Sequence, residues 1–371
     1  MGEDTGGGTA GSTRRRYRAL DGYRFLAAAA IVLFHYNYDF RLGLSGTSRA
    51  FDKLYVYVDF FFVLSGFVIA EGYRGRIRDG AGYGRFLWKR LARIYPLHLL
   101  TLLALVAGVE IASALGRMEE RPGLFDPSML PQTLLLVHAW GTTPDQGWNL
   151  PSWSISAELF AYLAFPLLAG LAARLPALAC LALAVAYVAA MQALRHALGL
   201  YDWTNATSDG AMRAVPTFFL GVAISAGLAR ARALPRAPWW LAHLLFLLPL
   251  PLLHLGLPET LAIALFPPAV LAAALAERSG RPTVLAASPV LALGQASYAL
   301  YLLHFPVAYA LLHALVPAAW LGSAPARWTL CAATLAGVIA LSLACYRLFE
   351  LPLQRRLAGL SLPGRRALRP A

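Results

Sequence analysis

The chain reads LDGYRFLAAAAIVLFH from Leu20 to His35, an apolar run in which two ionisable side chains, Arg24 and His35, stand eleven residues apart. In an α-helix this spacing is close to three turns, so both side chains share one face, about 16 Å apart along the axis. The run is apolar enough to lie in lipid, where ionisable groups are costly and usually functional. The pattern therefore predicts a membrane helix that forms one wall of a reaction channel, with a cation near one end and a base deeper in.

The composition of the whole chain predicts the same environment. Of the 371 residues, 58% are hydrophobic and 14% are charged, whereas a soluble domain has about 25% charged residues. Many apolar runs approach the roughly 20 residues that cross a bilayer. We therefore expect an all-α, polytopic membrane helical bundle with about ten transmembrane helices and both termini in the cytoplasm. The expected spans are residues 20–38, 54–71, 91–112, 153–173, 176–196, 213–230, 238–254, 258–276, 290–316 and 326–349.

The two ends of the chain differ in composition from its middle. Residues 1–16 are rich in Gly, Thr and Arg and are predicted to be a disordered cytoplasmic segment. Residues 17–352 form the predicted transmembrane domain, and residues 353–371 a basic cytoplasmic tail. The short apolar segment 129–140 is expected to be a re-entrant or surface helix.

The net charge of +13, from 32 basic and 19 acidic residues, could indicate nucleic-acid binding, but its distribution argues for membrane orientation. With ten spans, alternate loops hold most of the Lys and Arg, as the positive-inside rule requires of cytoplasmic loops. We therefore expect no nucleic-acid partner and a location in the cytoplasmic (inner) membrane. The opposite loops, 113–152 and 197–212, carry carboxylates and aromatic rings. These are typical either of an interfacial belt or of an aromatic-lined mouth for a sugar.

Three ionisable groups share one depth in this topology. His35 near the end of the first span, Asp59 in the second and Glu158 in the fourth all fall in the outer third of the bilayer. A histidine base with carboxylates that orient it and stabilise its charged form is typical of acid–base catalysis. His35, Glu158 and Asp59 are therefore the candidate catalytic residues, although a lone histidine on an apolar face can also be a satisfied core residue.

A cationic cluster is expected on the cytoplasmic side. Arg90 and Arg93 share a helix face, and paired guanidinium groups suit phosphate; the alternative is that they bind lipid headgroups. Because Arg24 adds a third cation, a ligand with phosphates at this side and a thin reactive arm fits the pattern. Coenzyme A thioesters have that shape. Arg24, Arg90 and Arg93 are thus the candidate donor-binding residues, with acyl-CoA as co-substrate and no permanently bound cofactor.

Weaker patterns add candidate substrate contacts. The stretch PSWSISAE, residues 151–158, opens the fourth span with a polar turn, and the ninth span contains tyrosines and a histidine that could equally belong to a proline kink. In VDFFFVLSGF, residues 58–67, the Ser65-Gly66 pair favours close helix packing over a catalytic role. No metal site is expected, since the chain lacks an HExxH motif and its cysteine spacing does not suit zinc. The candidate substrate-binding residues are Trp153, Ser154, Tyr298, His304 and Arg213.

Taken in order, these residues resemble the acyltransferase-3 family of integral membrane O-acyltransferases, between about residues 17 and 352. The resemblance implies a ten-helix bundle that moves acyl groups, often acetyl, from cytoplasmic acyl-CoA to hydroxyls of cell-envelope sugars or small glycosides. It also implies that His35 is the essential histidine and Arg24 its partner. The matching pieces are Leu20-Asp21-Gly22 with Arg24 and His35, Asp59 to Phe67, Arg90 with Arg93, Ser152-Trp153-Ser154 with Glu158, Pro216 to Gly221, and Ser297-Tyr298 with His304 and Pro306.

Two other classes of protein fit parts of the pattern. A transporter or flippase of a lipid-linked sugar would also have ten spans, buried charge and a polar outer mouth. Transporters often carry internal repeats, and no clear repeat is found in this sequence. A structural membrane subunit would not explain why the chain keeps His35, Arg24 and Glu158, because ionisable groups inside a membrane cost free energy. The predicted function is therefore O-acyl transfer to a carbohydrate or glycoside.

Overall fold

The computed structural model describes residues 17–117, 125–200, 203–205, 208–280 and 283–360. The predicted N-terminal segment 1–16 lies outside the described residues, as does 361–371 of the predicted basic tail. Parts of the two loops that were expected to be acidic and aromatic also lie outside them, namely 118–124, 201–202 and 206–207.

The described residues form helices and connecting turns, with no strand among them, which confirms the all-α prediction. The α-helices are α1 (Arg18–Asp39), α2 (Tyr57–Tyr73), α3 (Gly80–Ala114), α4 (Leu130–Leu134), α5 (Trp153–Arg174), α6 (Ala177–Ala197), α7 (Gly210–Arg230), α8 (Trp239–Leu247), α9 (Pro249–His254), α10 (Glu259–Ile263), α11 (Phe266–Arg278), α12 (Ser288–Gln295), α13 (Ser297–Tyr309), α14 (Ala324–Cys345) and α15 (Leu351–Gly359).

Eight helical segments of the described chain are long and apolar enough to cross a membrane. Two further predicted spans fall outside these eight segments. The span 20–38 corresponds to α1, which is rich in polar side chains. The span 238–254 corresponds to α8 and α9, which are short. The protein is therefore a multi-pass membrane protein, and the number ten stays a prediction. The eight segments are Arg49–Tyr73, Gly80–Ala114, Leu150–Arg174, Ala177–Ala197, Gly210–Arg230, Glu259–Arg278, Ser297–Leu315 and Ala324–Gly359.

Helix α3 corrects the expected boundary of the third span. The sequence predicted a basic loop followed by a span from residue 91, but the helix begins at Gly80 and runs for 35 residues. The side chain of Asp79 caps its start by accepting a hydrogen bond from Gly82 N at 2.6 Å, which stabilises a helix start at this point of the chain, and the helix continues through Pro96. Consequently Lys89, Arg90 and Arg93 lie on a rigid helix.

The segment 129–140 was expected to be a re-entrant or surface helix. It forms only the five-residue helix α4, followed by a turn at His138–Thr142. Leu136, between them, has a positive φ of 57°, a conformation that a helix cannot contain. The predicted single helix over this segment is therefore too long.

Two glycines let α2 and α7 touch along their backbones in the centre of the bundle. A Cβ atom built on Gly66 would overlap the carbonyl oxygen of Phe218, and one built on Gly221 would overlap that of Val63. Small residues permit such close helix approach in membrane bundles, as predicted for the Ser65-Gly66 pair. The stretch that contains α2 is accordingly 72% buried, against 11% for α6 at the lipid-facing edge.

The helices alternate in direction, so the bundle has two ends. At one end lie the start of α1, the end of α2 and the start of α3; Arg18 N of α1 donates to Glu277 Oε1 at the end of α11. We call this the arginine-rich end. At the opposite end, the end of α1 meets the segment before α2, where Tyr38 donates to Asp52 at 2.9 Å.

Candidate active site

A cavity of about 770 Å³ enters the bundle at the arginine-rich end and runs between α1, α2, α3, α5 and α13. Its mouth includes Tyr17, Glu71 and Arg76, and its deep end is formed by Phe61, Ser154 and Tyr301. The volume lies within the range of small-molecule sites in proteins. The bundle therefore contains a passage that leads from one end toward the middle of the bundle.

The cavity brings together six of the eleven candidate site residues. Arg24, Arg90, Arg93 and Glu158 line it, together with Ser154 and Tyr298. The other five candidates, His35, Asp59, Trp153, His304 and Arg213, are not among its lining residues. The expected donor-binding arginines thus share one cavity, whereas the expected histidine base lies beyond its wall.

Arg24 is positioned by close packing of α1 against α12. A Cβ atom on Gly294 would overlap the carbonyl oxygen of Asp21, so α12 lies directly against the first turns of α1. The Arg24 guanidinium lies 3.6 Å from Asp21 Oδ1 one turn away and keeps 24% of its side chain exposed. Such a loose, partly solvated pair contributes little, which leaves Arg24 available to a ligand.

Arg90 is held by an aromatic ring and keeps donors unused. Its guanidinium carbon lies 5.4 Å from the centre of the Tyr73 ring, and Nη2 donates to the Tyr73 hydroxyl at 3.4 Å. Its buried Nε has no hydrogen-bond partner in the described part of the chain. Because buried donors are normally paired, this unused N–H indicates a place for an acceptor that a ligand would supply.

Glu158 contacts a residue that the sequence had assigned to packing. Ser65 Oγ donates to Glu158 Oε1 at 2.5 Å, which joins α2 to α5 across the cavity. Ser65 therefore has a polar role as well as its place beside Gly66. The only sequence sign of this role is the polar side chain itself in an otherwise phenylalanine-rich helix.

Asp59 and Arg213 form a sealed ion pair. Arg213 Nη2 lies 2.6 Å from Asp59 Oδ2, and the two side chains are 1% and 0% exposed. The guanidinium also donates to the Thr204 carbonyl and lies 5.2 Å from the Trp153 ring and 5.6 Å from the Tyr55 ring. The structure thus joins Asp59, predicted to be catalytic, with Arg213 and Trp153, both predicted to bind substrate. Their roles in catalysis and substrate binding stay predictions.

His35 lies beside a second histidine. The ring centres of His35 and His304 are 5.0 Å apart. His304 is fully buried, and neither of its ring nitrogens has a hydrogen-bond partner among the residues that the structure describes. A buried imidazole without hydrogen bonds costs folding free energy. Because its ring lies against that of His35, we expect the two rings to act together.

Tyr301 connects this histidine pair to the cavity. Its ring lies 6.0 Å from that of His304, on the same helix α13, while its hydroxyl pairs with Ser154 Oγ at 2.8 Å and donates to the Pro151 carbonyl at 3.0 Å. Tyr301 therefore forms the wall between the deep end of the cavity and the two histidines. Its position three residues before His304 is the sequence signal that could have found it.

Glu350 is a further residue that sequence reasoning missed. It is 3% exposed, and neither carboxylate oxygen has a hydrogen-bond partner within the described ranges. The charges of Arg93 and Arg24 act on it, and residues 346 and 354, one turn to either side, line the cavity. A buried carboxylate beside two cavity arginines offsets part of their charge.

Residues 17–347 match the sequence model of the acyltransferase-3 family, which is described as an acyltransferase domain. The chain therefore belongs to this family, and the resemblance found in the sequence is confirmed. The class is that of membrane-embedded acyltransferases, as predicted. The acyl group, the donor and the acceptor stay predictions.

Two curated relatives match shorter stretches. The chain is 41% identical over 121 residues to the acyltransferase MdmB of Streptomyces mycarofaciens, which is 32% of this chain and 29% of that protein. It is 37% identical over 123 residues to protein 2 in the picA locus of Rhizobium radiobacter, which is 32% of this chain and 61% of that protein. The matches span less than two thirds of either relative. No solved structure matches the chain.

Proposed function

We propose that the protein is an O-acyltransferase that moves an acyl group, in the simplest case acetyl, from acyl-CoA to a hydroxyl group of a cell-envelope carbohydrate or a glycoside. One observation carries this proposal. A single cavity leads from an arginine cluster at one end of the bundle to Ser154 and Tyr301, one ring away from the His304–His35 pair. Membership of the acyltransferase-3 family supports the same reaction.

The donor enters at the arginine-rich end in this scheme. Arg24, Arg90 and Arg93 attract the anionic donor to the cavity, since guanidinium groups stay charged at any physiological pH. The narrow thioester arm then follows the cavity toward Ser154. Arg76, Arg85 and Lys89, from one of the most basic stretches of the sequence, lie at this end, which supports a cytoplasmic location for it in the inner membrane by the positive-inside rule.

The chemistry at the far end of the cavity requires one proton acceptor. His35 takes the proton of the acceptor hydroxyl as its oxygen attacks the thioester carbonyl; the carbon–sulfur bond breaks, and the thiolate of CoA recovers the proton from the imidazolium. General-base assistance of this kind contributes about 10²–10⁴-fold. Asp59 is engaged by Arg213, so Glu158, which lines the cavity, is the carboxylate that this scheme leaves to stabilise the imidazolium once Tyr301 has turned aside.

Tyr301 adds a requirement to this scheme. It forms the wall between the cavity and the histidine pair, so its side chain has to turn aside for the thioester carbonyl to meet His35. Its two hydrogen bonds, to Ser154 and Pro151, are each worth about 1 kcal/mol. Binding of the donor arm can supply that energy.

The acceptor approaches from the opposite end of the bundle. The residues predicted to contact it are Trp153, Ser154, Tyr298, His304 and Arg213. Ser154 and Tyr298 line the main cavity, so they are shared with the donor in this scheme, and the aromatic loops of the opposite end suit a sugar face. Arg213 is paired with Asp59 and lies against the Trp153 ring. In this scheme the two residues therefore support the acceptor site without contacting the acceptor.

The test is release of free CoA thiol from acetyl-CoA by purified protein, with and without an envelope-glycan extract from the producing cells. We expect acceptor-dependent thiol release by the native protein, and a loss of about 10²-fold or more in His35→Ala with donor binding retained. His196→Ala is the matched control, because His196 is exposed on α6 and far from the cavity. A transporter of lipid-linked sugar would release no thiol, and normal turnover by His35→Ala would exclude the mechanism.

A further inference from the structure

A second cavity of about 370 Å³ lies at the arginine-rich end, beside the mouth of the main cavity. It is formed by the end of α2, the first three turns of α3 and α15. Gly72, Arg76, Arg90 and Gln354 line both cavities. A ligand can therefore occupy the two spaces at once through this shared edge, which we call the junction.

The charges of the second cavity all have the same sign. Four cationic side chains line it, and no carboxylate is among its lining residues. Arg85 and Lys89 are one turn apart on α3, so they lie on one face of the helix. The four cations are Arg76, Arg85, Lys89 and Arg90.

These cations are not neutralised by any side chain that the structure describes. Arg76, Arg85 and Lys89 make no side-chain hydrogen bond or ion pair with any residue in the described part of the chain, and Arg90 keeps its buried Nε unpaired. The carboxylate of Glu71, at the nearby end of α2, is already bound by Arg74 and Arg278. Like charges held this close repel one another, and a polyanion that fills the cavity would remove the repulsion.

We propose that this second cavity binds the phosphate-bearing nucleotide part of the acyl donor, while the main cavity binds its thioester arm. The inference rests on the proposed function. It assigns phosphate contacts to Arg76, Arg85 and Lys89, with Arg90 at the junction. Arg24 and Arg93, which line only the main cavity, then contact the part of the donor beyond the junction.

The division has a chemical reason. A nucleotide with several phosphates is too hydrated and too highly charged to enter a membrane bundle, but the pantetheine arm is thin and carries no charge. A basic cavity at the rim therefore holds the head, while the arm alone passes Arg90 and reaches Ser154. The enzyme would recognise the donor mainly by its nucleotide, which takes no part in the reaction. The binding energy of the nucleotide would then position the thioester.

The test is a pair of binding titrations on purified protein in nanodiscs of zwitterionic lipid, with coenzyme A and with pantetheine, the same thiol arm without phosphates. We expect the double variant Arg85→Gln with Lys89→Gln to weaken coenzyme A binding by about tenfold or more, since it removes charge-assisted hydrogen bonds to phosphate. Pantetheine binding stays unchanged. The matched control is Arg232→Gln with Arg236→Gln, an exposed basic pair outside both cavities.

Folding and the source of the phosphate are checked in the same experiment. The conservative variant Arg85→Lys should keep coenzyme A binding within about threefold of the native value, because it retains a cation. Nanodiscs with anionic lipid form the second arm. If the cavity is a lipid-headgroup site, the double variant leaves coenzyme A binding unchanged in zwitterionic discs and alters only the response to anionic lipid, which overturns the proposal.

The two proposals fail in different ways. If coenzyme A binds through Arg85 and Lys89 but no acceptor promotes thiol release, the nucleotide cavity stands and acyl transfer is wrong. If thiol release occurs and the double variant affects coenzyme A and pantetheine equally, acyl transfer stands and the second cavity is not the nucleotide site.

Discussion

The arginines of this protein are held in opposite ways at the two ends of the bundle. Arg213 is 1% exposed and is bound by Asp59, a backbone carbonyl and two aromatic rings. Arg85 and Lys89 line a cavity that has no carboxylate among its lining residues in the described part of the chain. An ionised group cut off from water must be paired, whereas one at a water-filled cavity can stay unpaired until a ligand arrives. The paired arginine therefore indicates structure, and the unpaired ones indicate binding.

The largest effect is expected from breaking the sealed pair. Asp59→Ala leaves Arg213 buried without its carboxylate, which costs about 3–5 kcal/mol of unfolding free energy. Thermal or denaturant unfolding of the detergent-solubilised protein measures this loss. The double variant Asp59→Ala with Arg213→Met should recover much of it, since an apolar pair leaves no unpaired buried charge. A catalytic role for Asp59 predicts the reverse pattern, with native stability and lost turnover.

The glycine contacts that hold this pair in place come next. Asp59 is on α2 and Arg213 on α7, and Gly221→Ala places a methyl group against the Val63 carbonyl between these helices. We expect a loss of about 1–3 kcal/mol from this overpacking, measured by unfolding. Gly227→Ala on the same helix is the control, because a Cβ there meets nothing within 4 Å and alanine favours the helix by about 1 kcal/mol. Equal stabilities would show that the helices separate at no cost.

The histidine pair lies between the two extremes, because His304 is buried like Arg213 but unpaired like Arg85. His304→Phe should therefore leave stability unchanged or raise it, since an unpaired buried imidazole is costly. Turnover should fall by about tenfold or more because His35 loses the imidazole beside it. The pH–rate profile is the decisive measurement: loss of His304 should shift the limb that reports His35. An unshifted profile with native turnover would make His304 a packing residue.

The smallest effect on stability is expected at the second cavity. Arg85→Gln removes an exposed cation without a partner among the described residues, and such substitutions change stability by within about 0.5 kcal/mol. Unfolding experiments at low and high salt measure this, with Arg232→Gln as the control. A loss comparable to that of Asp59→Ala would mean that Arg85 is paired, and the contrast between the two ends would not hold.

Much of the site was predictable from local pattern. The spacing of Arg24 and His35 on one helix, the shared face of Arg90 and Arg93, and the close approach at Gly66 follow from helix geometry and side-chain size alone. The extent of α3 did not follow, because a run of basic residues fits both a loop and a capped helix. The pairing of Asp59 with Arg213 could not be predicted either. The two residues lie 154 positions apart in the sequence, and the sequence relates them only by a similar predicted depth in the bilayer.

The sequence by itself determined that this chain spans a membrane, because composition and apolar run length act along the chain. Its motifs, through their resemblance to known sequences, also determined its family. Only the tertiary structure decided which charged side chains pair with each other and which remain able to bind a ligand. Helix contacts set that division: they seal Asp59 with Arg213, leave two basic cavities open at one end, and place Tyr301 between the larger cavity and the histidines. Burial, and hence the cost of an unpaired charge, depends on neighbours that no local pattern specifies.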